Sequence, residues 1–371
     1  MSASAPILIA GGGVGGLSAA IALSRRGFSV RVLERAPAFS ESGAGVQLGP
    51  NATRILRDWG VAGAVEDRAF RPGRIELFDA ASGVRLNCVP LGARVAQRYG
   101  APYLTLLRAG LHEALLLAAT QRGVEITTGF TVEAVSQTAA GVSAISTEGE
   151  RASGAALIGA DGLRSAVRRA IAPDARLKET GAVAWRANTP VAGDPGDVGV
   201  WLHAARHLVR YPVDRGRSWN FVAVTREAAA PDFADWPAVI RDAAPPPAEW
   251  RPWPLFEAPP LPVWSDRRMT LLGDAAHPLP PFLASGAVMA IEDAETLAME
   301  AASSANDLPG AFQRYEQRRK ARVGLVARRS RRMGEIYHMS GVMRLARNAV
   351  IAATPSMRLL ARNDWLYGFR V

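Results

Sequence analysis

A glycine-rich turn near the start constrains this chain more than any other feature. Leu8-Ile9-Ala10 ends a short apolar run, and Gly11-Gly12-Gly13-Val14-Gly15-Gly16 follows. Leu17, Ile21 and Leu23 then recur on one helical face, Gly27 closes that helix, and Ser29–Leu33 reads as a second strand with Glu34 at its end. Strand, glycine turn, helix, strand and acid in this order is the pattern of a dinucleotide site. Gly11 permits the sharp turn out of the strand, Gly13 lets the backbone approach a pyrophosphate, and Gly16 lets helix and strand pack closely. Val14 and Gly15 open a helix whose N-terminus offers unpaired N–H groups and a positive dipole end to phosphates. Glu34 is placed to accept from an adenosine ribose. The turn alone leaves NAD and FAD both open.

The 371 residues suit about two domains. No apolar stretch reaches the roughly 18 residues of a membrane span, and the first six residues carry no basic flank of a signal peptide. Cys88 is the sole cysteine, which excludes an internal disulfide, a Cys-x-x-Cys pair and a thiolate zinc site, and fits a reducing cytoplasm. Five scattered histidines give no metal site. The net charge of +10 is concentrated between Arg314 and Arg347, where eleven Lys/Arg stand against two Glu. This segment reads as a solvated helix face. It lacks the interleaved aromatics or reader motif of a nucleic-acid surface.

Further along, residues 37–49 read as a loop. Asn51 reads as the cap of a helix through Trp59, residues 73–91 as strands, and 111–121 as a helix. Ala155–Ala160 is a second buried strand running into Asp161-Gly162, and Met269–Leu272 a third running into Gly273-Asp274. Residues 180–226 are strand-like, 228–262 read as a Pro- and Ala-rich connection, and a helix starts at Gly286. Buried strands near 8, 30, 157 and 270 imply one nucleotide domain assembled from separated segments, 1–72, 100–175 and 265–330. A sheet domain, 73–99 and 176–264, is inserted between them, and 331–371 is a C-terminal helical segment. The fold class is therefore α/β.

Gly11–Gly16, Asp161-Gly162 and Gly273-Asp274 stand in this order, together with Gly45–Ala52, Leu107-Arg108-Ala109, Ala275-Ala276-His277-Pro278, Gly286-Ala287, Ala290–Ala294 and a Trp-Leu-Tyr-Gly end. With these motifs the sequence resembles the class A flavoprotein aromatic hydroxylases, in the branch of salicylate hydroxylases and 3-hydroxybenzoate 6-hydroxylases. The resemblance runs nearly end to end. It implies a Rossmann-type FAD-binding domain like that of p-hydroxybenzoate hydroxylase, with an inserted β-sheet substrate domain. FAD is then the cofactor, NADH or NADPH the co-substrate, and dioxygen forms a hydroperoxide on the flavin that attacks a phenolic aromatic or heteroaromatic acid. Asp274 would accept from the ribityl chain, Arg108 would lie beside the ribityl and pyrophosphate, and Gly286 and Ala287 would aim N–H groups at the flavin's pyrimidine edge. Asp161 and Arg164 match the second fingerprint, and Arg35 and Val132 join the cofactor contacts.

Attack on a phenol needs the ring electron-rich, and ionising a phenol of pKa about 10 at pH 7 costs roughly 4 kcal/mol. His207 and Tyr211 share one face of a strand, four residues apart. An imidazole near its ordinary 6.5 suits a proton shuttle, and the pair matches the family pattern. Arg186 is a candidate for the substrate carboxylate, and Pro281 follows the salicylate-hydroxylase pattern beside the substrate. Ser285 and Val288 stand where many relatives carry Gln and Asn. His277 reads as structural. The sequence points to no nucleic-acid partner and no stable membrane insertion, and a homodimer is admitted. A quinone-ring or other aromatic hydroxylase of this fold, a flavoprotein NAD(P)H oxidase, and a Rossmann dehydrogenase remain as alternatives.

Overall fold

The computed structural model describes residues 5–39, 43–204, 206–226, 229–257 and 259–371. Its first layer is a six-stranded sheet in the order Ser265–Asp266, Met269–Leu271, Ala156–Gly159, Ile7–Ala10, Val30–Leu33, Glu125–Thr127. All neighbours are parallel except the two-residue edge strand Ser265–Asp266. Strands covered on both faces must be apolar throughout, and Ile7–Ala10 and Ala156–Gly159 are buried at every position. The helix Val14–Ser24 is nearly as apolar all round, and it lies between the sheet and the helices Arg108–Gln121 and Gly286–Ser303.

The second sheet has seven strands: Arg251–Glu257, Lys178–Pro190, Ser218–Thr225, His207–Val213, Val198–Leu202, Arg74–Asp79, Arg85–Pro90. Its residues alternate in the manner of a sheet with two different faces. Trp185, Ala187, Trp201, Leu208 and Phe221 pack on one face with Phe233, Trp236, Ile240 and Trp250. Val198, Val200, Leu202, Tyr211 and Val213 occupy the other, against Leu107, Tyr337 and Ile351. Two segments differ from the sequence reading. Residues 228–262 are more than a connection, because their aromatics complete the first face and Arg251–Glu257 is the sheet's edge strand. The loop read over 37–49 contains the strand Gly45–Leu48, paired antiparallel with Leu104–Leu107; residues 40–42 of that loop lie outside the described ones.

The basic C-terminal segment is the helix Leu308–Tyr337 followed by Gly341–Ala353. It is not simply a solvated face. Arg319, Arg322 and Arg347 are all buried, each held by carboxylates or backbone carbonyls. A purely sequence-based reading of charge cannot see this, because the acidic partners lie on other elements. Asp79 is one of them: bidentate bonds from Arg344 at 2.8 and 2.6 Å hold its carboxyl well below the usual range. No helix among the described residues is long and apolar enough to cross a membrane.

Candidate functional site

The ends of the parallel strands gather three turns at one place. Gly11 leaves the first strand at φ +99°, and a Cβ there would stand 2.5 Å from the Ala160 carbonyl oxygen. A Cβ on Gly16 would stand 1.8 Å from the Gly11 carbonyl oxygen, so helix and turn can close only on glycine. Gly15 faces Leu272 and Ala290, and Val14 is buried at the helix start. Above Gly13 the space is open: a Cβ would meet only the Arg108 guanidinium, at 3.8 Å. No side chain caps this helix. Arg108 itself begins the helix Arg108–Gln121, donates its backbone N–H to Ala44, and is near enough to Asp274 for their charges to interact.

Glu34 sits at the end of the second strand, accepting from Gly12 N at 2.6 Å and from Ala36 N at 2.9 Å. Phe130 N donates to the Glu34 carbonyl. This brings Val132, the half-buried first residue of the strand Val132–Gln137, to the same edge, with Arg35 exposed beside it. Asp161 uses one oxygen to cap the helix Ala166–Ile171 through Ala166 N and Val167 N; its other oxygen is buried with no protein partner. Asp274 lies in a short turn after the third strand and is exposed. Gly286 and Ala287 begin the helix Gly286–Ser303, whose N-terminus also has no side-chain cap. Open space over Gly13, an unanswered buried carboxylate oxygen and two uncapped helix starts are what a ligand with phosphates, hydroxyls and an electron-rich ring edge would complete.

Residues that the sequence reading missed fix these turns in place. Arg168 reaches between them, donating to the Asp274 and Ala275 carbonyls at 3.3 and 3.1 Å and also to Leu163. Asp293 accepts from Gly273 N at 3.2 Å, from His277 at 2.6 Å and from Arg319 Nε at 2.6 Å. Glu292 accepts from Asn51, Arg319 and Arg322. The Arg319 cation and His277 hold the Asp293 carboxyl below its usual range despite complete burial. His277 is thus structural, as its sequence context indicated. The acidic pair was visible in Ala290–Ala294, but its basic partners lie 26 to 30 residues further on.

The second group of candidates lies on the face of the seven-stranded sheet that carries Val200, Leu202 and Tyr211. The register aligns Arg186 with Val222 and Val209, and Asn188 with Asn220 and Tyr211, so Arg186, Asn188, Asn220, His207 and Tyr211 share that face. Arg186 is half-buried, its Nε has no partner, and its guanidinium stands 5.6 Å from the Trp253 ring centre. Burial pushes the Tyr211 hydroxyl well above the usual phenol range, against the opposing pull of the Arg186 charge and of a hydrogen bond with Gln47. Gln47 also accepts from Tyr103 Oη at 2.6 Å. Gln47 and Tyr103 border a hollow of about 10 Å³, room for one water, shared with Ser285, Val288 and Tyr367. Pro281 begins the short turn Pro281–Leu283 that leads to this hollow, and Ala284 then takes a left-handed φ of +48°.

His207 departs from its expected character. Its Nδ1 partner is His338 Nε2 at 2.9 Å, and rings of Phe282 and Tyr337 pack on it at 5.5 and 5.1 Å. Burial, reinforced by His338, pushes the His207 imidazole down to about 3, far from its ordinary 6.5. The structure therefore brings two groups together: the nucleotide turns around Gly13, and a polar sheet face carrying Arg186, His207 and Tyr211. The turn Pro281–Leu283 touches the sheet face through Phe282, whose ring packs on His207, and runs into the helix that starts at Gly286.

A parallel sheet with three converging turns, joined to a mostly antiparallel sheet that carries polar groups on one face, has the form of a flavin-binding oxidoreductase. The family model described as an FAD binding domain matches residues 4–330, and the chain belongs to that family. It is 38% identical to a 3-hydroxybenzoate 6-hydroxylase of Polaromonas naphthalenivorans (strain CJ2), over 99% of this chain and 96% of that one. It is 35% identical to a 6-hydroxynicotinate 3-monooxygenase of Bordetella bronchiseptica, over 87% and 89% of the two chains. Among solved structures, Klebsiella pneumoniae HpxO complexed with FAD and uric acid superposes with a TM-score of 0.88 at 25% identity, covering 98% and 97%. A salicylate hydroxylase substrate complex shares the fold, with a TM-score of 0.80 at 21% identity over 100% and 96%. The chain is an FAD-dependent aromatic monooxygenase with NAD(P)H as co-substrate.

Proposed function

We propose that this enzyme hydroxylates a small phenolic aromatic or heteroaromatic carboxylic acid. Residues 1–72, 100–175 and 265–330 hold the flavin, 73–99 and 176–264 hold the substrate, and 331–371 tie the two together. One observation carries the reading: a half-buried guanidinium whose Nε has no hydrogen-bond partner, a hydrogen-bonded phenol and a buried imidazole share one sheet face. Arg186 takes the substrate carboxylate; a charge-assisted bond of this kind is worth roughly 1.5–3 kcal/mol. Tyr211, which burial keeps protonated, donates from Oη to the substrate's phenolic oxygen, and Gln47 orients it. His207 receives the phenolic proton at Nε2, since Nδ1 is engaged.

Gly13, Val14, Glu34, Arg108, Asp161 and Asp274 hold FAD, with Gly11, Gly15 and Gly16 shaping the turn and Arg35 and Val132 flanking the adenosine end. Gly286 and Ala287, at an uncapped helix start, would offer backbone N–H groups to its ring, and Pro281 would bound the substrate. Bound FAD, reduced by NAD(P)H, supplies the activated oxygen from dioxygen that the ring attacks. The sole cysteine, Cys88, is free, which supports a reducing cytoplasmic setting, and a homodimer is the assembly proposed.

Hydroxybenzoates and hydroxypyridinecarboxylates are to be screened for stimulated NAD(P)H oxidation, with product analysis. At least one phenolic acid should give stoichiometric hydroxylated product. If every acid stimulates only peroxide release, the chain is a flavoprotein oxidase and the proposal fails.

A further inference from the structure

We infer that His338 is the outer carrier of a two-imidazole proton exit, receiving through His207 the proton that the phenolic substrate releases. The inference rests on the role given to His207 above. His338 is not on the sheet face that carries His207; it meets that face at the His207 ring and acts through His207.

The geometry is that of a conduit. His207 is 3% exposed on the inner sheet face, while His338 is the half-buried residue ending the long helix Leu308–Tyr337. Their ring nitrogens meet at 2.9 Å, and Phe282 and Tyr337 pack around the junction. Phe282 is itself seated against Gly334, one turn before His338, where a Cβ would stand 2.7 Å from its ring. The helix end is fixed by Arg347, which donates to the Ile336 and Tyr337 carbonyls at 3.1 and 2.8 Å.

The charges around the pair oppose a resting imidazolium. Burial, reinforced by Arg226 beyond the strand Ser218–Thr225, Arg347 on the helix Gly341–Ala353 and His203, pushes the His338 imidazole down to about 4. Around His207 the neighbouring titratable groups are His338 and Tyr337, whose hydroxyl burial pushes up to about 12. Asp79, the nearby acid, is already bound to Arg344. Two neutral imidazoles joined by a hydrogen bond pass a proton without storing one. The substrate O–H bond breaks as its proton joins His207 Nε2; the Nδ1 proton moves to His338 Nε2; and His338 Nδ1 gives its proton to water. Both rings finish neutral with their tautomers exchanged, the phenolic oxygen carries the negative charge, and one proton has reached solvent.

The test compares His338→Gln, which keeps a hydrogen-bonding side chain beside His207, with His338→Ala and His207→Ala in the holoenzyme. Flavin reduction and hydroxylation are followed separately by rapid mixing. Both His338 variants should slow hydroxylation about tenfold or more, within the usual range for lost proton transfer, with flavin reduction unchanged. The wild-type rate should be flat between about pH 6 and 9, whereas the His338→Gln rate should climb toward the phenol's own pKa near 10. Imidazole buffers should rescue His338→Ala with a rate that rises with buffer basicity. Nitrogen NMR of labelled histidines should show both rings neutral down to about pH 5 and hydrogen-bonded to each other. If His207→Ala uncouples the enzyme but both His338 variants keep wild-type rates and a flat profile, the exit through His338 is wrong. If His207→Ala is itself fully coupled, the underlying role of His207 is what fails. Slow hydroxylation in His338→Ala that Gln restores completely would make His338 a mere packing partner and overturn the proposal.

Discussion

At the scale of single residues, the chemistry turns on which groups burial keeps neutral and which it leaves unanswered. His207→Ala should depress hydroxylation and raise peroxide release far more than it slows flavin reduction; oxygen-electrode and product measurements separate the two. Arg186→Leu should raise KM for the acid by about tenfold to a hundredfold, matching loss of a charge-assisted bond, while an uncharged analogue lacking the carboxylate is unaffected. These positions were legible in the sequence because an even spacing puts His207 and Tyr211 on one face. The ionisation state of His207 was not legible. It depends on Phe282, Tyr337 and His338, which arrive from segments 75 to 131 positions away. Gln47 was in view within Gly45–Ala52, but nothing local marked it as the partner of Tyr103 and Tyr211.

At the scale of elements, the helix Leu308–Tyr337 acts as a clamp. Arg319 is 1% exposed and bonds both Glu292 and Asp293, while Arg322 joins Glu292 to the carbonyls of Trp365 and Leu366. Removing one partner of such a pair strands a buried charge and costs about 3–5 kcal/mol. Arg319→Met should therefore lower the unfolding midpoint, and it should also loosen FAD, because Asp293 holds Gly273 N. Denaturant titration and flavin retention on gel filtration report the two effects. Strands with unbroken apolar runs and the glycine turns were readable from local pattern alone. The Pro-rich stretch 228–262 was not, since its burial comes from aromatics spaced irregularly to fit a sheet that other segments build.

For the molecule as a whole, a buried neutral imidazole ties stability to acidity. The folded His207 binds its proton only near pH 3, the unfolded chain near 6.5, so the unfolded state holds the extra proton between those values. Stability from this group is complete above about 6.5 and falls as the pH drops, by about 2 kcal/mol at pH 5. Urea unfolding at pH 7 and 5 should show that loss, and His207→Asn should remove about one proton from the slope.

The division of the chain into two sheets has a consequence for optical work. Trp185, Trp201, Trp219, Trp236 and Trp250 crowd one outer face of the seven-stranded sheet, while Trp59 and Trp264 belong to the other core. Indole emission therefore originates mostly from the half built on the seven-stranded sheet. Its red shift and the release of flavin colour should serve as separate clocks for the melting of each half.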